Sequence, residues 1–462
     1  MAAIHEMTAT ELIGAYRSGA LTRTEVVEAQ LARIDEVNPI VNAVIARFDE
    51  EALAAARAAD AAPAQERAAL ALDGVPVIVS DWYSVAGAPQ TMGVVAFRDV
   101  VSPADDPVVE RLRAAGAILL GKAPIPEMAL RWNLLSELYG ETRNPRDPSC
   151  SAGGSGGGVA AAVASGMAPI GFHADAGGSL RVPAAFCGIV ALRPTPNAVI
   201  PLVAPSVLSM PLESLTSLGP HARTVDDAWL AVKAAAGAHP SVPLTPPSRL
   251  PDSFRSAERL RVAVMVDETG ALVDDDVRAE VRRTAEALAD AGYEVTEEAP
   301  PEARRLPELW LRMLGTEVVH SYLPPVREQT GAGAVQHMDE LFSLGDVGND
   351  VAAFIGTMTD VRAAQRSLSE WMQERPLILA PVAGMRRPPI DYDVWLSTDE
   401  TRELFDRMRN VVLVNSMGLP AVALPNGVQL IGRPHHDEQA VQAADLALAA
   451  IGAADVATPV AA

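Results

Sequence analysis

The chain is predicted to fold as an α/β protein: one α/β/α domain of 462 residues whose mixed, largely parallel central sheet is covered by helices. Two observations predict it. Short β-branched runs alternate with amphipathic helical stretches, the pattern that places helices on both faces of a sheet. Apolar residues make up 49% of the chain and aromatic residues only 4%, so the core is expected to pack from Ala, Val and Leu rather than from rings. No internal repeat divides the sequence. Length alone suggests about three domains of ordinary size, but α/β enzymes often exceed that prior as one domain.

Residues 1–70 read as helices. In TATELIGAYRSG, Thr8 or Thr10 can cap the start and Gly19 can stop the last turn. TRTEVVEAQLARIDEVNP follows with Val26, Val27, Leu31 and Ile34 on one side, and is expected to end before Pro39 because helical backbone is disfavoured ahead of proline. LDGVPVIVSD is then a buried strand bounded by Gly74 and Asp81. DPVVERLRAAG reads as a helix stopped by Gly116, and AILLGK as the next strand. The proline-rich stretch at residues 238–253, AHPSVPLTPPSRLPDS, reads as a surface connector. Beyond it RLRVAVMVD and DDDVRAEVRRTAEALADAGYE resume the strand and helix alternation. PLILAPVAG, PAVALP and GVQLIGRP read as further strands before a final helix from about Asp437.

A formal charge of −22 and the lack of a basic stripe argue against a nucleic-acid partner, because phosphate binding needs clustered cations. Cys150 and Cys187 make no disulfide framework, and a reducing compartment is expected. The N-terminus has no basic start followed by an apolar stretch, and the longest apolar run, near VAAAVASGMAPIGF, is shorter than the roughly 20 residues that span a bilayer. A cytoplasmic protein without membrane contact is the expectation. Lysine occurs only at 122 and 233, the other 35 basic residues being arginine, which narrows the choice of a catalytic amine.

Two glycine-rich stretches carry the chemistry. SAGGSGGGVAAAVASG, residues 151–166, opens onto an alanine-rich helix, and free N–H groups at such a start favour an anion. It lacks the Gly-Lys-Ser/Thr ending of a phosphate loop and fits the dinucleotide fingerprint only loosely. In DAGGS, the glycines allow close approach to a ligand, so the N–H groups of Ala176, Gly177, Gly178 and Ser179 could surround a developing oxyanion, with Ser179 as the acyl acceptor.

AGGSGGGVAAAVASG together with DAGGSLRVPAAFCG resembles the amidase signature family, whose core carries Gly-Gly-Ser-Ser-Gly-Gly followed by Asp-x-Gly-Gly-Ser-(Ile/Leu)-Arg. Ser155 and Ser179 stand 24 residues apart, the family's spacing between its bridging serine and its nucleophile. GKAPIPEMAL, ETRNPRDP, GLPAVALP and GVQLIGRP resemble further family segments, so the likeness covers almost the whole chain, with residues 71–200 as the signature core. The resemblance implies a serine–serine–lysine triad, with no metal and no organic cofactor. It also implies binding roles for Asp175 and Arg181 beside the amides of Ala176, Gly177 and Gly178.

One position departs from that pattern. Where the family has Gly-Val-Pro-x-x-x and then Lys-Asp-Asn, this chain reads GVPVIVSDWYSVAG, which sets Ser80 in the lysine's place. A hydroxyl has neither the basicity nor the reach of a lysine amine, and loss of a general base costs on the order of 10²–10⁴ in rate. Lys122 matches the family's Gly-Lys-x-x-x-Pro-Glu segment and so has a structural place, Lys233 lies in a helical segment, and Asp81 reads as a buried carboxylate that fixes its loop. His173, six residues before Ser179, is either a core histidine or a proton acceptor; one residue of strand register separates the two readings. Gly156, Ala174, Trp82 and Tyr83 also differ from the family and gather around the same place. The short turn at Asn426 is expected to alter the substrate entrance or a partner surface, His435 and His436 to lie on the surface, and the stretch from Arg304 to Asp360, which includes His320, to line the pocket by analogy with the family.

The function expected is acyl chemistry, hydrolysis or transfer at a small amide or activated acyl substrate, with Ser179, Ser155, Ser80 and His173 at its centre. Two alternatives stay open: a repurposed enzyme of cyclisation, rearrangement or elimination, and an inactive binding subunit. A small-molecule substrate is expected, and a homodimer is left open.

Overall fold

The computed structural model describes residues 3–199, 209–239, 250–345, 347, 350–452 and 454–459. Among these, eleven strands join in one sheet: β1 (Ala46–Arg47), β2 (Pro76–Ser80), β3 (Ile118–Ala123), β4 (Ile170–Asp175), β5 (Val190–Arg193), β6 (Ser217–Ala222), β7 (Arg261–Val264), β8 (Glu294–Glu297), β9 (Leu377–Pro381), β10 (Ala421–Ala423) and β11 (Val428–Ile431). Their order across the sheet is β1-β3-β2-β4-β6-β5-β10-β11-β9-β7-β8. The expected mixed sheet forms, with its parallel ladders on two flanks, β3-β2-β4 and β9-β7-β8. The centre and the β1 edge are antiparallel. For β2–β3, β7–β8 and β10–β11, strands that are consecutive in the chain and paired in the sheet, the connection sets the direction. Helical crossovers return the chain parallel, whereas the short turn from Leu424 to Gly427 can only reverse it.

Away from the exposed edge strands β1 and β8 both faces of the sheet are buried, and side chains alternate between them. Val77, Val79, Phe172, Ala174, Leu377 and Leu379 enter one core, while Ile78, Ala263, Ile378 and Ala380 enter the other. Helices cover each face. Those used below are α1 (Ala9–Ser18), α2 (Arg23–Val41), α3 (Gly157–Ala164), α4 (Arg181–Cys187), α5 (Leu306–Glu317), α6 (Ala332–Ser343) and α7 (Thr398–Met417).

Local chemistry sets the helix ends. Thr8 caps α1 in a reciprocal pair with Glu11, and Gly19 closes it in the left-handed region at φ 73°. α2 does not stop before Pro39; it runs through the proline to Val41. A proline in the last turn deletes a single backbone donor, and Asn42, at φ 54°, ends the helix by donating to Asn38. The N-terminal segment is not purely helical either, because β1 adds an edge strand of two residues, too short for a periodic signal.

One close approach positions the site. A Cβ at Gly171 of β4 would stand 2.2 Å from Val159 Cγ1, so only glycine lets α3 lie this tightly on the sheet. The glycine-rich loop ahead of α3 is thereby brought to the end of β4.

The Asn426 turn does not shape an entrance. Its side chain donates to Glu280 and Thr284 on the helix Asp275–Asp290, at 3.1 and 3.0 Å, and is absent from the pocket described below. The connector read at 238–253 falls mostly, at 240–249, outside the described residues. No helix among the described residues is long and apolar enough to cross a membrane.

Candidate active site

Two strands and one loop meet beneath a pocket. In the parallel ladder of β2 and β4, Ile78 lies opposite Gly171 and Val79 opposite Phe172, so the next pair in register is Ser80 and His173. Val79 and Phe172 belong to the far core, and alternation turns Ser80 and His173 towards α3. There the imidazole stands between two hydroxyls: Nδ1 is 2.8 Å from Ser80 Oγ and Nε2 is 2.9 Å from Ser155 Oγ. All three residues are buried.

Whichever ring nitrogen carries the hydrogen, one hydroxyl donates to the imidazole and the other accepts from it. The arrangement can therefore pass a proton between Ser155 and Ser80 through His173. Burial pulls the His173 pKa down to about 3, with His221 reinforcing and Asp175 opposing the shift, so the ring is neutral at physiological pH. Space for the ring depends on Gly156. A Cβ there would stand 2.6 Å from His173 Cδ2 and 2.6 Å from the Ser179 carbonyl oxygen. Positions 156 and 173 thus touch each other.

Ser155 follows a cis peptide bond from Gly154. The Gly156 N–H donates to the Ser179 carbonyl at 3.1 Å, which ties the glycine-rich loop to the loop after β4. Ser179 is half-buried and lines the pocket with Ser155, His173, Ala176 and Gly177.

Asp175 and Arg181, expected among the binding residues, lie beneath that loop and not in the pocket. The carboxylate accepts from Arg181 Nε at 2.9 Å and Nη2 at 3.1 Å, from Asn415 Nδ2 at 2.8 Å and from the Gly178 N–H at 2.7 Å. Burial alone would raise its pKa, but Arg181, Arg193 and Asn415 hold it well below the usual carboxylate range. The pair acts as a clamp on residues 176–180. It also engages the N–H of Gly178, which removes that group from the expected cradle.

Two indoles that line the pocket hold the rest of this loop. Trp310 Nε1 donates to the Ala176 carbonyl and Trp132 Nε1 to the Gly177 carbonyl, each at 2.8 Å. Because N–H and C=O point opposite ways across a trans peptide, the Gly177 N–H faces away from Trp310. Among the described residues, no hydrogen-bond acceptor engages the N–H groups of Ala176, Gly177 or Ser179.

The pocket above holds about 730 Å³ of atom-free space, its mouth included. Its walls are mainly apolar, with Met128 and Leu130 on one side and Leu314, Val318, Leu341 and Phe342 from the 304–360 stretch on another. Trp132 stacks on Trp310 at 6.0 Å between centroids and meets His337 edge-on at 6.1 Å. These three aromatic residues have no sequence signal of their own. Each sits in a stretch whose apolar pattern fits a helical or loop core, and only packing brings them together. His320 is exposed, as are His435 and His436.

Lys122 and Asp81 form a separate buried pair at 2.9 Å, with Thr91 also donating to the carboxylate and the amine also donating to the Pro89 carbonyl. Neither lines the pocket. Among the described residues no cluster of His, Cys, Asp and Glu could hold a metal ion.

Comparison with known proteins agrees with this architecture. Residues 25–441 match the family described as Amidase. The chain is 30% identical over 452 residues to an indoleacetamide hydrolase of Bradyrhizobium diazoefficiens, covering 96% of this chain and 86% of that one. It is 31% identical over 446 residues to an acylamidase of Rhodococcus erythropolis, covering 93% and 91%. The solved structure of 6-aminohexanoate cyclic dimer hydrolase superposes with a TM-score of 0.82 at 25% identity, covering 96% of this chain and 97% of that one. With the family match spanning most of its length, the chain belongs to the amidase family.

Proposed function

We propose that this protein is an acyl-transfer hydrolase of the amidase family in which His173 takes the proton-accepting part that the family gives to a lysine at position 80. The hydrogen-bonded chain Ser80–His173–Ser155, at 2.8 and 2.9 Å, carries the reading. Ser179 Oγ attacks the acyl carbonyl and its proton passes to Ser155, whose own proton moves to His173 Nε2. Nδ1–H then points at Ser80 Oγ, which steadies the imidazolium. The N–H groups of Ala176, Gly177 and Ser179 receive the charge that develops on the carbonyl oxygen. On collapse the proton returns through Ser155 to the leaving group, and water releases the acyl group by the same route in reverse.

An imidazole held to about 3 accepts a proton less readily than one near neutrality, and it gives the proton up readily. The penalty therefore falls on both base-assisted steps, and a good leaving group lightens the first of them, formation of the acyl-enzyme. Substrates with activated acyl groups, such as esters and aryl amides, suit the site better than simple alkyl amides. The names of the relatives, an indoleacetamide hydrolase and an acylamidase, fit an amide of an apolar acid in the Trp132 and Trp310 pocket.

The test separates nucleophile from base. A fluorophosphonate should label the wild type and not Ser179→Ala, and His173→Ala should lower the acylation rate on an aryl ester by about 10²–10⁴ while leaving the fold intact by circular dichroism. Full-speed acylation in the His173 variant would remove the proposed base. Turnover that persists in Ser179→Ala would point instead to non-covalent chemistry.

A further inference from the structure

We infer that His337 is a specificity residue whose Nε2 accepts a hydrogen bond from an N–H or O–H on the apolar end of the acyl substrate. The inference rests on the acyl-transfer reading above and adds the substrate class.

The tautomer follows from the ring's one hydrogen-bond partner among the described residues. His337 Nδ1 lies 2.7 Å from the Asp393 backbone carbonyl, and a carbonyl can only accept, so Nδ1 carries the hydrogen. Nε2 is then a lone-pair acceptor. It is buried, the residue lines the pocket, and among the described residues nothing donates to it. A buried acceptor without a donor is costly, and such groups in a binding pocket are satisfied by what the pocket binds.

The support of the ring is rigid. Asp393 is held by Arg131, which donates to its Oδ1 at 2.7 Å and to its Oδ2 at 3.3 Å, so the carbonyl that orients His337 is fixed. Burial lowers the His337 pKa, which keeps the ring neutral and Nε2 free to accept. Arg131, which also lines the pocket, places three N–H groups on Asp393 and the Leu135 carbonyl, and the Asp393 carboxylate balances its charge. A carboxylate on the distal end would thus meet a lone pair where it needs a donor. The favoured ligand is an aromatic acyl group that stacks in the Trp132 and Trp310 region and bears one donor.

Such a site discriminates more sharply than an apolar one, because an analogue lacking the donor leaves the buried nitrogen unpaired. The experiment uses three probe pairs: 2-, 3- and 4-hydroxyphenylacetamide, each against the phenylacetamide with methyl in place of hydroxyl. Dissociation constants are measured by calorimetry on full-length Ser179→Ala, which excludes turnover. At least one hydroxyl isomer should bind about tenfold or more tighter than its methyl partner. In Ser179→Ala/His337→Asn the ratio should fall to about one, because Asn keeps a donor for the Asp393 carbonyl while its shorter amide puts no acceptor at the Nε2 position. Ratios near one for all three pairs in Ser179→Ala, or no binding of any hydroxyl isomer, overturn the inference even where the Asn variant does not fold. A preference that survives in the Asn variant overturns it as well. Selective binding without wild-type hydrolysis of the same compound would fail the acyl-transfer reading alone.

Discussion

At the scale of single residues, the decisive feature is where the His173 ring lies. It fills the space between Ser80 and Ser155, so a lysine placed at 80 has no room to reach Ser155. Ser80→Lys alone should therefore give no gain in amide hydrolysis. Ser80→Lys with His173→Gly should raise kcat/KM on simple amides by about 10²-fold or more, the scale of an added general base. A panel of alkyl amides assayed with both variants checks this, and a comparable gain from Ser80→Lys alone would mean that the ring does not occupy the lysine's place. Ser179 and Ser155 were legible in the sequence because motif and spacing name them. The direction of His173 was not, because a strand presents alternate residues to opposite faces and the sequence leaves the register open. His337 was invisible for a different reason: its value lies in an unpartnered nitrogen, which exists only once Asp393 is folded against it.

At the scale of elements, the site depends on how closely α3 lies on β4. Gly171 sets that distance, since a methyl group there would collide with Val159. Gly171→Ala should destabilise the fold by about 1–3 kcal/mol, as overpacking does. Val159→Ala should recover part of that loss when combined with it, because neighbours that share one contact are not additive. Urea unfolding of the two single variants and the double measures the coupling, and strictly additive effects would rule out the close contact as the cause. The loop after β4 is held by other means, the Asp175 and Arg181 clamp below and the two indole N–H groups from the pocket wall. Strand and helix order was legible in the chain, because β-branched runs and caps are local signals. Two element-level expectations differed. α2 passes through Pro39, because the last turn tolerates the loss of one donor, and β1 is too short to show periodicity.

At the scale of the whole molecule, burial of neutral histidines ties stability to pH. Burial lowers the His221 pKa to about 4, against the opposing pull of its bond to the Leu180 carbonyl and of Asp175. Between about 4 and the ordinary value of 6.5 the unfolded chain binds a proton that the folded chain does not. The His221 contribution to stability is thus complete above 6.5 and lost as pH falls towards 4. Burial holds Glu127, Asp227 and Asp437 above the usual carboxylate range, and these groups oppose the trend, so the comparison is made against a variant. His221→Gln keeps a donor for Leu180, and on going from pH 7 to pH 5 it should lose about 2 kcal/mol less stability than the wild type. Urea melts at the two pH values give the difference, and equal losses would place the His221 titration outside this window. By itself the sequence determined the family, the order of strands and helices, and the serine pair, because each is written in local pattern or in motif spacing. The tertiary structure alone decided that His173 bridges Ser80 and Ser155, that Asp175 and Arg181 clamp rather than bind, and that residues 132, 310 and 337 share one pocket wall. Those facts depend on strand register and on packing between distant segments, neither of which is encoded in any local stretch of the chain.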